Sequence, residues 1–140
     1  NDIDGFRRGD DILRLVGELL REHTDPARDF VGHIGGDDFI VLWGSPDWQE
    51  RTEALLRTFD ARIPEFYHPE DRARGGIEAE DRQGRTVFFP LCALSVGAVV
   101  IDEPQRYESH HAVAEAASVA KKMAKKTPGS SLFVERRRQK

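Results

Sequence analysis

Apolar residues recur with two different periods along the first sixty positions, and each change of period marks a boundary. Ile12, Leu15, Val16, Leu19 and Leu20 fall on one face at helical spacing, which predicts an amphipathic helix capped by Gly9 or Asp10. Asp25-Pro26 closes the turn that follows. Phe30–Ile34 and Phe39–Trp43 are short apolar runs joined by Gly35-Gly36-Asp37-Asp38. That pattern predicts a β-hairpin, because glycine supplies the positive φ of a tight turn. Helical spacing returns with Trp48, Leu55, Leu56, Phe59 and Ile63, behind Ser45 as cap and Pro46 at the first helical position.

The charged, glycine-containing stretch 68–76 reads as a loop. Ile77–Ala79 and Thr86–Phe89 pair across the turn Asp81-Arg82-Gln83-Gly84. Leu94–Val100 is a strand, bulged or narrowed at Gly97. A third helix runs from Ala112 to about Lys126 behind Ser109, with Val113, Ala116, Ala117, Ala120 and Ala124 as a narrow, close-packing face. Pro128-Gly129 stops it, and Leu132-Phe133-Val134 is a last strand. Helices that alternate with strand pairs predict an α/β or α+β class, with helices layered on a mixed sheet.

Composition narrows the function classes. The 140 residues suffice for one continuous core, and the balance of charged and apolar residues argues against a wholly disordered chain. A net charge of −4 disfavours a strongly basic nucleic-acid clamp, so no DNA or RNA partner is expected. The longest apolar run, Val96–Ile101, is far too short to cross a bilayer. Cys92 is the only cysteine, so neither an internal disulfide nor a zinc site of cysteines is available. These features predict a cytoplasmic single domain, with the basic end Arg136–Lys140 as a solvated terminus, a linker or a weak anion contact.

Chemistry concentrates at the hairpin. Asp37 and Asp38 follow the glycines and open a strand, where two adjacent carboxylates repel each other and a cation relieves the repulsion. Magnesium takes a few carboxylates together with phosphate oxygens, and glycine lets backbone approach a phosphate closely. A purely structural turn is the other reading of the same residues.

Gly35-Gly36-Asp37-Asp38-Phe39 resembles the signature hairpin of GGDEF domains, the diguanylate cyclase family, with Asp38 in place of Glu. Asn1-Asp2-Ile3-Asp4-Gly5-Phe6-Arg7-Arg8-Gly9-Asp10 resembles the family's N-D-x-x-G-H-x-x-G-D segment. Leu94–Ala98 resembles its S-x-G-x strand, and Ala124-Lys125 with Pro128-Gly129-Ser130-Ser131 is similar to its closing A-K-x-x-G-x-N stretch, one residue longer. The resemblance implies a fold like the nucleotidyl-cyclase palm, with a mixed or antiparallel sheet flanked by helices. It implies condensation of two GTP molecules into cyclic di-GMP, with magnesium or manganese, in a homodimer. It places Asn1 and Asp10 on the guanine edge, and the Gly35-Gly36 backbone along the phosphates. Asp37 becomes the metal ligand, Asp37 and Asp38 the catalytic pair, and Lys125 a partner of the triphosphate. Simpler roles stay open for two of these: Asp10 as a helix cap, and Lys125 as one of a solvated group with Lys121, Lys122 and Lys126.

Several positions depart from the family pattern. The chain begins where the family has already passed its first helix and core strand, which implies a GGDEF domain over 1–140 cut from a multidomain signalling protein. Sensory or phosphodiesterase domains attached to it, and membrane association of the larger protein, are in keeping with that. In a second register Asp2-Ile3-Asp4-Gly5-Phe6 resembles the D-x-D-x-F strand, which makes Asp2 or Asp4 a metal ligand. The first register fits without a gap. His33 stands where the family carries Arg, and Asp38 is one methylene shorter than Glu. The inhibitory R-x-x-D site reads Pro26-Ala27-Arg28-Asp29: Asp29 keeps the acid while Pro26 removes the guanidinium, so weak binding of cyclic di-GMP is expected. Two functions follow: a diguanylate cyclase, or a catalytically impaired GTP-binding module that regulates an attached phosphodiesterase or sensor domain.

Overall fold

The computed structural model describes residues 3–101 and 110–135. Asn1, Asp2, Ser109 and the basic end 136–140, each singled out in the sequence, lie outside the described residues. The rest is α+β: α-helices with three two-stranded sheets. The residues fall into two compact units divided between Cys92 and Ala93. No helix among the described residues is long and apolar enough to cross a membrane.

The first unit opens with helix α1 (Ile3–His23), whose stripe Leu15, Val16, Leu19 and Leu20 is buried. The helix starts earlier than its caps suggested. Gly9 and Asp10 lie inside it, so the capping role of Asp10 is overturned, and Ile3–Phe6, the described part of the alternative strand register, are helical. The cause is a distant anchor. Arg8 Nε donates to the Phe66 carbonyl at 3.1 Å, and its guanidinium lies 4.8 Å from the centre of the Tyr67 ring.

Strands β1 (Phe30–Gly35) and β2 (Asp38–Leu42) form the expected antiparallel hairpin, with Phe30 opposite Leu42 and His33 opposite Phe39. Helix α2 (Trp48–Arg62) buries Leu55, Leu56 and Phe59 and packs on α1. Its cap is Asp47, not Ser45. Ser45 is buried and spends its hydroxyl on Asp29 instead, 2.9 Å away. A 3-10 turn (Ile63–Phe66) follows, and then a short helix α3 (Pro69–Arg74) within the stretch expected as loop. Pro69 at its first turn and Gly75 in the left-handed conformation at its end frame that helix. Strands β3 (Gly76–Glu80) and β4 (Thr86–Pro90) close the unit as a second hairpin.

The second unit is a strand–helix–strand motif. Strands β5 (Ser95–Val99) and β6 (Ser131–Glu135) are parallel neighbours, and helix α4 (His110–Lys125) crosses over them. Ala116, Ala120 and Ala124 form its buried face. The ladder is regular through Gly97, so the strand is narrowed there and not bulged. A Cβ at Gly97 would lie 2.6 Å from the carbonyl carbon of Ala120, which explains the glycine as a close approach of strand and helix. The expectation of one mixed sheet is corrected: each described ladder joins only the two strands adjacent through its own connection.

Candidate functional site

The hairpin tip is built by its glycines and by one histidine. Gly36 and Asp37 form the two-residue turn, with Gly36 at φ 54° and Gly35 at φ 152°, both beyond what an L side chain adopts easily. The ladder shifts register between His33 and Gly35, and Gly35 then pairs with Asp38. His33 Nε2 lies 2.9 Å from the Gly36 carbonyl oxygen, which can only accept, so Nε2 carries the proton. The same imidazole stacks on Phe39, with centroids 4.4 Å apart and planes 10° from parallel. Turn and strand are thereby tied together, and Asp37 and Asp38 are presented exposed at the tip. Burial raises the pKa of the Cys92 thiol, and the nearby negative charge of Asp37 raises it further.

A cleft of about 440 Å³ lies between α1 and this hairpin. Asp10, Arg14, Gly17 and Arg21 line its helical side, and Val31, His33 and Phe39 line the other. Asp10, Arg14, Gly17 and Arg21 follow one another at intervals of four, three and four residues, which sets them on a single stripe with Leu13 beside it. Asp10 therefore joins the hairpin in one concave site of the first unit. Sequence reasoning missed Arg14 and Arg21. The signal was present in their spacing from Asp10, but it becomes legible only once the helix is known to run through Asp10.

Asp29 has a different environment. Its Oδ1 accepts the Gly44 and Ser45 amides at 2.8 and 2.9 Å. Its Oδ2 accepts the Asp25 amide at 2.8 Å and the Ser45 hydroxyl at 2.9 Å. Desolvation pushes this carboxyl up, but the hydrogen bonds from Asp25, Ser45 and Gly44 outweigh it and hold the pKa at about 2. The carboxylate clasps the loop before β1 to the loop after β2. Pro26 and Arg28 beside it are exposed, and Arg28 Nε stands 3.9 Å from Asp25.

Lys125 belongs to the second unit, exposed at the end of α4 with Lys122 and Lys126. No group of three or more His, Cys, Asp or Glu side chains among the described residues stands together as a metal cage. Compared with protein-family models, curated proteins and solved structures, the chain matches none.

Proposed function

We propose that the chain is a cyclic di-GMP signalling domain of diguanylate cyclase type, binding GTP in the cleft between α1 and the β1–β2 hairpin. One observation carries the reading: Asp10 lines a single cleft with His33 and Phe39, the paired residues that flank the Gly35–Asp38 tip, so two separate motifs of the resemblance meet in one unit. The homodimeric state belongs to this proposal. In it Asp10 accepts from the guanine N1–H and amino group. The backbone at Gly35 and Gly36 lies along the phosphates, where a Cβ on either glycine would meet nothing within 4 Å and the space is open.

The donor set suits a hard divalent cation that arrives with its nucleotide. Magnesium or manganese would be held by Asp37, with Asp38 next to it, and a shell completed by phosphate oxygens and water needs only one or two carboxylates. When bound, such an ion supplies charge stabilisation at the reacting phosphoryl group. The reaction joins a ribose 3′-oxygen to an α-phosphorus as its hydroxyl proton passes to water, breaks the bond to the β-phosphate and releases pyrophosphate. A second such step closes the ring. This chain's part is to orient the base at Asp10 and hold the tip rigid through His33.

The regulatory reading has its own support. Asp38 is fixed in the ladder opposite Gly35, so a backbone shift cannot readily restore the methylene it lacks relative to Glu. Incubation with GTP and magnesium, with product read by chromatography, separates the two. Turnover marks the cyclase, and binding without turnover marks the module. In the cyclase case Asp37→Ala is expected to cut magnesium-dependent turnover by roughly a hundredfold or more, and more than Asp38→Ala does. The reverse order would overturn the roles given to the two acids.

A further inference from the structure

We infer that Arg14 is a second guanine-reading residue, acting on the O6/N7 edge while Asp10 takes the N1/N2 edge. The inference rests on the proposed GTP site and adds to it the residue that makes the site selective. Asp10 and Arg14 both line the cleft, four residues apart in an uninterrupted helix. Four residues rise about 6 Å along the axis, so a carboxylate and a guanidinium stand side by side facing the same space. Guanine offers the complement in the same order: donors at N2 and N1, then acceptors at O6 and N7. Adenine inverts that order at the six-position, where its amino group would face the guanidinium donors.

Position and freedom both favour Arg14 over Arg21. Arg21 lies eleven residues beyond Asp10, roughly 16 Å along the helix, too far for both to grip one base. Arg14 has a side chain 73% exposed, and its ion pair with Asp11 spans 3.4 Å on the surface. Such a pair holds its arginine weakly, so the guanidinium can turn to a ligand at little cost. Gly17, one turn further along the stripe, leaves the cleft floor without a side chain, while Leu13 and Phe39 provide apolar walls for a ring.

Calorimetric titration of the whole chain with GTP and with 7-deaza-GTP tests this, since the analogue loses only the N7 acceptor. The unmodified protein is expected to bind 7-deaza-GTP about tenfold more weakly than GTP. In Arg14→Met, which keeps an unbranched stem at an exposed helical position, the two nucleotides should bind alike and rejection of ATP should relax. Equal affinity of the unmodified protein for GTP and 7-deaza-GTP overturns the role of Arg14 and leaves the GTP site standing. Failure of the unmodified protein to bind GTP at all overturns both.

Discussion

Asp29 is the residue whose chemistry the structure specifies most fully. Four donors meet its two oxygens, and replacing the carboxylate leaves amides of Gly44, Ser45 and Asp25 short of an acceptor. Asp29→Asn keeps the shape but turns an amino group toward donors, so a loss of about 1–3 kcal/mol is expected. The pH dependence follows from the direction of the shift. A carboxyl whose pKa falls on folding, here to about 2 from 3.8, stabilises the native state above its unfolded pKa. That contribution disappears as pH falls through the folded value. Urea titrations of the native protein and Asp29→Asn should therefore differ by a constant amount from pH 7 down to about 4, with the gap closing between about 4 and 2. A gap that persists unchanged at pH 2 would show that packing, not charge, makes the difference. The same bonds bear on the inhibitory-site resemblance: the acid three residues after Pro26 is already engaged by four internal donors.

Among the elements, two glycines behave oppositely. Gly97 lies where α4 crosses β5, and an alanine methyl there meets the backbone of Ala120 and Lys121. Gly97→Ala is expected to cost about 1–3 kcal/mol or more through overpacking. Gly9 lies within α1, where a Cβ meets nothing within 4 Å, and Gly9→Ala should stabilise by about 0.5–1 kcal/mol. Amide hydrogen exchange would check both: protection falls in β5 and α4 for the first substitution and rises along α1 for the second. This contrast also marks how far the elements were legible. Periodicity located both hairpins, the buried stripes of α1 and α2, the alanine face of α4 and the last strand, because each is encoded in residues adjacent in sequence. It misplaced the start of α1, since the Arg8 contacts with Phe66 and Tyr67 link positions 58 and 59 residues apart. It assigned Ser45 to a cap because Ser-Pro carries that signal locally, while its real partner, Asp29, lies sixteen residues back. Stretch 68–76 carried proline and glycine as helix punctuation, but six residues are too few to show a period. At the site, the tip and Asp10 were legible from motif alone. The cleft that joins them was not, because it depends on which face of α1 turns to the hairpin.

At the scale of the whole molecule, the two compact units make different demands on any test of function. The proposed nucleotide site, with Asp10, Arg14, His33 and Asp37, lies within the first unit. Both tryptophans of the chain, Trp43 and Trp48, lie there too, so indole fluorescence reports the unfolding of the unit that carries the site. A ligand that binds only the native state stabilises it by mass action, about 2.7 kcal/mol at a hundred times its dissociation constant. For a unit of this size that corresponds to a rise in midpoint of about 10–20 °C. Magnesium with GTP is expected to produce such a rise in the tryptophan-detected melt, and magnesium with ATP a much smaller one. Asp37→Ala should remove the part that depends on magnesium and keep the part that GTP gives alone, because the metal and the base are held by different residues. A melt that GTP leaves unmoved at millimolar concentration, with or without magnesium, would mean that the cleft between α1 and the hairpin is a structural groove. The exposed carboxylates of the tip would then be surface acids alone.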